Sequence, residues 1–508
     1  MAKCVRHNNV AIMLVGAFLV GLVMADTLTK ALDNDTWWLL ATGRQIVQDG
    51  FFQENPWSMH QGLHVVVQQW LSAVVLYKLY VLGGEFALKA LVAVQIVALT
   101  VVLYRLMRLC SGRKRGSGEL FALAIPLAYV SLCSYFSTRP HLYTMLVFSL
   151  VVMVLERYRR KGGKRVLLAL PVLVAVHVNL HAAMAPYDLF IVALYAVPNV
   201  PRWLKKRFPA FPLGFARARY RHWPVLAALA ACAVAMLLNP YGIDGALYLV
   251  KSYGAAGYRN YISEMGATTF WTSYGVGTMA CVVLGSLAVG RAGLRKIDFP
   301  LTVLFAVGIP LAMMSVRNVW LTPLFCLPLA APMAGSMSLN PPKLQVFRNK
   351  AVCGVLSAAL CVTLACICPL LAKDTTQKDS SSMPLQGIAF LDSYVAENGL
   401  QKQDVKIYNS FNCGSYLEWR GYKVFMDPRP ELWEPGITGV GAHYFQEFVD
   451  AERGGKSLSE RLLETYQFDV LFVANDSNMA KVLQDSEAYE KGETGVGYAV
   501  YVRAKGAV

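Results

Sequence analysis

The sequence predicts an α-helical polytopic membrane protein of about eleven crossings, with two juxtamembrane helices in its first outer loop and a C-terminal extracytoplasmic α/β domain. Three observations point there. Of 508 residues, 56% are hydrophobic and the mean hydropathy is +0.41, above the ~45–50% apolar content of soluble proteins. Apolar runs near the ~20 residues of a bilayer crossing recur as far as Leu371. After Lys373 the composition turns polar and mixed. The boundaries this sets are a membrane part over 1–373, a linker over 374–383 and an outer domain over 384–508.

The net charge of +16 would suggest nucleic acid in a soluble chain, but the Lys and Arg cluster in short loops between spans. That is the positive-inside bias, and it excludes nucleic acid as the expected partner in favour of membrane lipids. Of the eleven cysteines, Cys133, Cys232, Cys281, Cys326, Cys353, Cys361, Cys366 and Cys368 lie in apolar runs and read as small hydrophobes. Cys413 alone falls in the outer domain, so no disulfide is expected within it.

Taken in order, Lys3, Arg6 and His7 precede an apolar run from Val10 to Met24 with no small-residue cleavage site after it. An uncleaved first span with its N-terminus inside is expected. Asp26 to about Glu85 then lies outside. Thr36–Asp49 has a helical apolar pattern suited to the membrane surface, Phe51–Pro56 reads as a turn, and Gln69–Tyr80 reads as a second interfacial helix. Charge parity selects Phe86–Leu106 as the next crossing, because Arg105, Arg108, Arg113, Lys114 and Arg115 form an inner loop.

The remaining crossings are Leu120–Phe136, Leu142–Leu155, Val166–Asn179, Ala183–Val197, Trp223–Leu238, Trp271–Val289, Phe299–Ser315, Trp320–Met333 and Ala351–Ala372, with inner basic loops at Arg157–Lys161, Arg202–Arg207 and Arg291–Lys296. The C-terminus emerges outside. In the outer domain, Ile388–Glu397 and Leu458–Thr465 read as helices, and Val405–Asn409, Lys423–Met426, Val470–Ala474 and Tyr498–Val502 as strands.

The same parity gathers polar residues on the outer side. Asp33 and Asp35 precede Trp37-Trp38; Arg139 and His141 sit at one hairpin, Asn179 and His181 at the next, and Asn239, Tyr241, Glu264, Arg317 and Asn318 at the three after that. Ionisable groups at span ends call for partners, and these are expected to line one outward cavity. A D-x-D can hold Mg²⁺ or Mn²⁺ through hard oxygens, or one carboxylate can act as a general base. Arginine pairs bidentately with phosphate, so Arg139 and Arg317 suit a lipid phosphate. The bland readings stand beside these. Asp33 can be a helix cap, Trp37 and Trp38 an interfacial belt rather than sugar platforms, and the arginines can snorkel to headgroups. His177, in an apolar context, reads as a core histidine. Asp427 and Arg429 form either a structural ion pair or an acceptor contact.

Asp33-Asn34-Asp35-Thr36-Trp37-Trp38-Leu39-Leu40-Ala41-Thr42-Gly43 resembles the D-x-D-x-W-W-x-L-x-x-G opening of a family of bacterial polytopic membrane proteins grouped with the GT-C fold glycosyltransferases. Gln69-Trp70-Leu71, Arg139-Pro140-His141, Asn179-Leu180-His181, Leu238-Asn239-Pro240-Tyr241-Gly242, Arg317-Asn318, Tyr408–Leu417 and Val424–Arg429 resemble further pieces in the same order, across nearly the whole chain. The resemblance implies a GT-C-like fold, a polyprenyl-phosphate sugar donor, and a catalytic acidic role for Asp33 and Asp35. One departure is Gln68-Gln69, where relatives often carry His-Glu before Trp-Leu.

The expected function is sugar transfer from a polyprenyl-phosphate donor to an envelope glycan, lipid or protein outside the cytoplasmic membrane. Asp35 would be base or metal ligand with Asp33 assisting, and Arg139, His141, His181, Asn239, Tyr241, Glu264 and Arg317 would bind substrate. The alternative is a non-enzymatic protein that binds or flips an envelope lipid or assembles a complex. A transporter comes third, since the charges sit at span ends rather than mid-span.

Overall fold

The computed structural model describes residues 2–112, 117–197, 220–252, 262–292, 298–335, 378–433 and 441–504, with scattered positions between. The chain forms two compact units. One comprises Met1–Lys30, Lys89–Ala246 and Arg259–Lys373; the other comprises Ala31–Leu88, Leu247–Tyr258 and Asp374–Val508.

The first unit is a helical bundle. A helix lies in each of the first ten segments that the sequence marks as crossings, among them Ala2–Thr29, Ser117–Leu132, His141–Lys161, Ala169–His181, Pro186–Ala196, Ser273–Ala292 and Phe299–Met314. Of the eleventh, 351–372, only isolated positions are described, and the basic positions Arg113–Arg115, Arg202, Lys205, Arg295 and Lys296 and most of the linker fall outside the described residues. Among the described residues four helices are long and apolar enough to cross a bilayer, and five shorter ones are apolar. Prolines open the Pro186–Ala196, Trp223–Ala235 and Phe299–Met314 helices, where the missing N–H is no loss. The core runs through Ile96, Leu99, Tyr129, Phe148, Val174, Val192 and Trp320.

One end of this bundle holds the inner basic residues that the sequence marks as topology signals, and there they also do structural work. Glu156 is fully buried and takes Arg159 at 2.7 Å and Arg160 at 2.6 Å, with the Tyr195 hydroxyl donating to it at 2.7 Å. Asp298 closes the cluster on Arg159 at 2.5 Å.

The second unit joins the first outer loop to the C-terminal chain. Its sheet contains β1 (Ile407–Asn409), β2 (Val470–Ala474), β3 (Tyr489–Gly495) and β4 (Tyr498–Arg503) in the order β1-β2-β4-β3. β1 pairs with β2 in parallel, with Tyr408 opposite Leu471; the other pairs are antiparallel. The strand expected at Lys423–Met426 is absent from this sheet. Val424 instead makes a parallel bridge to Ser58 of the outer loop, donating its N–H to Trp57 O at 2.8 Å.

The Trp37-Trp38 pair is corrected too. Neither ring is an interfacial belt or an open platform, for both are buried, at 3% and 6% exposure. Trp37 lies edge-on to Tyr416 at 4.9 Å and near Tyr80 and Trp419. The apolar stripe of the Asp35–Asp49 helix, which the pattern assigns to the membrane surface, is covered by the Gly414–Trp419 helix. Arg44 fastens the same contact, donating to Trp419 O at 2.9 Å and lying 4.4 Å over its ring. The expected second loop helix begins at Trp70 and continues to Cys110 after a break at Gly83-Gly84.

Candidate functional site

In the bundle, three chain segments that the sequence places on the outer side come together. Arg139 follows the short turn at Cys133–Tyr135, Glu264 lies in the turn Ser263–Met265, and Arg317 in the turn Val316–Asn318. Arg139 Nη1 donates to both Glu264 carboxylate oxygens at 3.1 Å, and Arg317 Nη2 lies 3.9 Å from Glu264 Oε2. Backbone bonds fix the geometry: Val316 N–H donates to Gly266 O at 3.0 Å and Thr268 N–H to Met313 O at 3.1 Å. The Tyr135 hydroxyl donates to Val316 O.

His141 extends the cluster, its ring 5.5 Å from Tyr135 and 5.3 Å from His181. Two buried polar atoms here, His141 Nδ1 and Arg317 Nε, have no hydrogen-bond partner among the described residues. Buried polar groups are rarely left so. Two guanidinium groups at the Glu264 carboxylate, with an imidazole nitrogen and a guanidinium N–H that have no partner among the described residues, gather hydrogen-bonding capacity at one place. Chemically it can take an anion with several oxygens, such as a phosphate.

Asn239 and Tyr241 share a turn. Asn239 Oδ1 accepts the Tyr241 N–H at 2.9 Å, and its Nδ2 donates to Met236 O and Gly242 O at 2.9 Å each. Asn239 therefore holds its own turn. Asn179 ties that turn to the preceding hairpin, donating to Leu238 O at 2.7 Å.

Asp33 and Asp35 belong to the other unit. Both are partly buried at the start of the Asp35–Asp49 helix, and Asp33 Oδ1 accepts the Asp35 N–H at 3.0 Å. Asp33 thus closes a two-residue turn at the start of the helix, whose N-cap residue, Asn34, makes no side-chain cap bond. The fit to a divalent cation is mixed. Among the described residues no group of three or more His, Cys, Asp or Glu could hold a metal. Between the two carboxylates, however, the buried Asn34 Oδ1 has no donor, and three oxygen-bearing side chains in succession suit a hard ion.

A narrow crevice in the same unit is lined by Trp38, Thr42, His64, Gln68, Gln69 and Arg429. Gln68-Gln69 therefore reaches it as amides, beside His64 and Arg429. Arg429 is buried and taken by Asp427 at 2.6 Å and Glu418 at 2.8 Å, donates to Asn55 Oδ1 at 3.2 Å, and lies over Trp38 and Trp57. The structural ion pair is the outcome for Asp427 and Arg429. With one cation between two buried carboxylates, desolvation pushes Glu418 well above the usual carboxylate range.

Sequence reasoning missed Thr144 and Asp188, which lie buried beside His177 and His181. Asp188 had a signal: an acid in an otherwise apolar helix, eleven residues after His177. Thr144, as an ordinary helix residue, had none.

No family model matches the chain, and no curated protein does. Solved structures do. The oligosaccharyltransferase of Archaeoglobus fulgidus, tethered with an acceptor peptide containing the NVT sequon, aligns with TM-score 0.53 at 13% identity over 91% of this chain and 69% of its own. ArnT from Cupriavidus metallidurans, bound to undecaprenyl phosphate, aligns with TM-score 0.50 at 12% identity over 96% of this chain and 97% of its own. The arabinofuranosyltransferase AftD from mycobacteria aligns with TM-score 0.52 at 16% identity over 97% of this chain and 40% of its own. These are GT-C fold glycosyltransferases, and at such identities the likeness is one of fold. With its apolar helices, the chain is a multi-pass membrane protein with the GT-C fold.

Proposed function

We propose that the chain is a membrane glycosyltransferase that moves a sugar from a polyprenyl-phosphate-linked donor to an extracytoplasmic cell-envelope acceptor. The observation that carries this is the cluster of Arg139, Arg317 and Glu264, in which Arg317 Nε and His141 Nδ1 are buried with no partner among the described residues. A lipid phosphate supplies both the negative charge and the acceptor oxygens that those atoms lack. The orientation that goes with this reading has the N-terminus inside and the 384–508 domain outside the cytoplasmic membrane.

In this reading Asp35 takes the proton of the acceptor hydroxyl, and Asp33, held by its turn to the Asp35 N–H, orients it. Arg139, His181 and Arg317 hold the phosphate as it leaves with its charge increased. A Mg²⁺ or Mn²⁺, if the enzyme uses one, would be held by Asp33 and Asp35 and would supply a Lewis acid there. The fold likeness supports the reaction class, because the solved structures named above are glycosyltransferases and one of them is bound to undecaprenyl phosphate.

Two observations favour the second reading, a non-enzymatic lipid-binding or lipid-flipping protein. Asp33 is engaged in its own turn to the Asp35 N–H, and Gln68-Gln69 puts amides at a crevice where the family that the sequence resembles often carries an acid. Binding of radiolabelled polyprenyl phosphate to the purified protein in lipid tests the shared step. Saturable binding that Arg317→Ala weakens at least ~10-fold, as loss of a charge-assisted bond implies, supports the site. Binding indifferent to both Arg317→Ala and Arg139→Ala contradicts it.

A further inference from the structure

Behind the arginine cluster three helices bury a continuous polar chain that phosphate binding by His181 does not by itself require. Asp188 Oδ2 lies 2.6 Å from His177 Nδ1, His177 Nε2 lies 3.0 Å from Thr144 Oγ1, and Thr144 Oγ1 lies 2.8 Å from His181 Nδ1. Asp188, His177 and Thr144 are fully buried and His181 is 4% exposed. Phe148 packs edge-on against the His177 ring at 5.5 Å, fixing its plane.

Proton counting restricts what this chain can do. Thr144 has one hydroxyl proton, so it donates to one imidazole and accepts from the other. With both imidazoles neutral, the three bonds can run in two directions. In the first Asp188 Oδ2 accepts: His177 Nδ1–H donates to it, Thr144 donates to His177 Nε2, and His181 Nδ1–H donates to Thr144. His181 Nε2 is then a bare lone pair. In the second every bond is reversed. The Asp188 carboxyl donates to His177 Nδ1, His177 Nε2–H donates to Thr144, Thr144 donates to His181 Nδ1, and His181 Nε2 carries a proton.

The second oxygen of Asp188 decides between them. Asp188 Oδ1 is buried with no partner among the described residues. The first direction leaves Oδ1 either ionised or, with the proton placed on it, as an O–H without an acceptor; both cost more in an apolar bundle than the bare carbonyl oxygen that the second leaves. The second arrangement is favoured, and His181 Nε2 is a hydrogen-bond donor at rest.

We propose that Asp188, His177 and Thr144 form a proton relay that holds His181 Nε2 as a donor and delivers a proton through it to the departing lipid phosphate. The inference rests on the polyprenyl-phosphate reading above and gives the site its acid. As the bond between the sugar's anomeric carbon and the phosphate oxygen breaks, its electron pair stays on that oxygen. The His181 Nε2 proton moves to the phosphate, the Thr144 proton to His181 Nδ1, the His177 Nε2 proton to Thr144, and the Asp188 proton to His177 Nδ1. One carboxyl proton has then been passed to the phosphate, and Asp188 is left ionised. A proton taken from water at His181 Nε2 after product release runs the shifts in reverse and restores the start.

The resting state can be read without substrate. In full-length protein labelled with ¹⁵N-histidine and held in lipid nanodiscs, ring nitrogen shifts distinguish the two neutral tautomers. The relay requires His177 and His181 both to carry their proton on Nε2. Thr144→Ser keeps that pattern, while Thr144→Val releases His181 into a tautomer mixture. Finding both rings protonated on Nδ1, or His181 unmoved by Thr144→Val, overturns the relay.

Asp188→Asn supplies the second test, because its amide still donates to His177 Nδ1 but has no proton to pass on. Donor binding is expected to be unchanged and sugar transfer to fall at least ~100-fold, the usual worth of a positioned acid; wild-type transfer by Asp188→Asn overturns the relay. If the tautomers are as required and Asp188→Asn alters neither lipid binding nor transfer because the wild type shows neither, the lipid-phosphate reading and the acid role built on it both fall.

Discussion

Glu264 takes Arg139 at 3.1 Å on both oxygens and stands 3.9 Å from Arg317, so its carboxylate competes with any anion for both guanidinium groups. Its neutralisation and the loss of an arginine should act in opposite directions. Glu264→Gln keeps the shape and removes the competing anion, and is expected to tighten polyprenyl-phosphate binding severalfold, whereas Arg317→Ala weakens it. Titrating the labelled lipid against both variants checks the pair; two changes of the same sign would mean that the cluster is a structural clasp. His60 gives a residue-scale prediction that concerns stability. It is buried, stacked on Tyr444 at 3.8 Å, and its Nε2 meets Phe425 O at 3.0 Å; burial lowers its pKa to about 4. The unfolded chain, with an ordinary imidazole, binds the proton first. The stabilising contribution is therefore complete above about pH 6.5 and is lost as pH falls towards 4, reaching about 3 kcal/mol if the whole shift counts. Thermal unfolding of wild type and His60→Gln at pH 7.5 and 5 should show a smaller acid loss in the variant.

Among the elements, the Asp35–Asp49 helix explains the spacing of its own motif. A Cβ on Gly43 would stand 2.2 Å from the Ala73 carbonyl oxygen, so glycine is what lets this helix approach the one that starts at Trp70. Gly43→Ala must push two backbones apart, with an expected loss of ~1–3 kcal/mol in thermal unfolding; a neutral result would mean that the two helices separate freely. Gly84, at φ +57 and ψ −146, supplies the break that divides the Trp70–Cys110 helix, a conformation open mainly to glycine. The apolar period marked these helices correctly, because a bundle core and a bilayer both reward it. It misled at Lys423–Met426, where alternation signals an extended, half-buried segment but not its partner, here Ser58. It was silent at Tyr489–Gly495, an edge strand whose side chains other than Tyr489 are largely exposed. An edge strand takes its place from the β4 ladder, not from its own side chains.

At the scale of the molecule, composition and charge parity made the membrane part readable, since both follow from the bilayer itself. They also brought Arg139, Glu264 and Arg317 to the same side, and the bundle joins those three. What the sequence could not show is tertiary. The loop carrying the D-x-D forms one compact unit with the chain after Asp374, through contacts such as Trp37 on Tyr416 and Arg429 on Asn55 that span hundreds of positions. Trp37-Trp38 and Asp427–Arg429 look like recognition motifs, yet burial makes the rings and the ion pair parts of a core. The Asp188–His177–Thr144–His181 chain was hidden for the same reason, because spacing along three helices does not reveal which faces meet.

Sugar transfer by the purified protein is directly measurable. Purified protein in lipid, given a panel of radiolabelled polyprenyl-phosphate sugars and crude envelope acceptor, should pass label from one donor into the acceptor. Asp35→Asn, folded to the wild-type melting temperature, should bind that donor normally and transfer at least ~100-fold more slowly. Equal transfer by Asp35→Asn, or donor binding by both proteins with no label ever moved, would contradict the account.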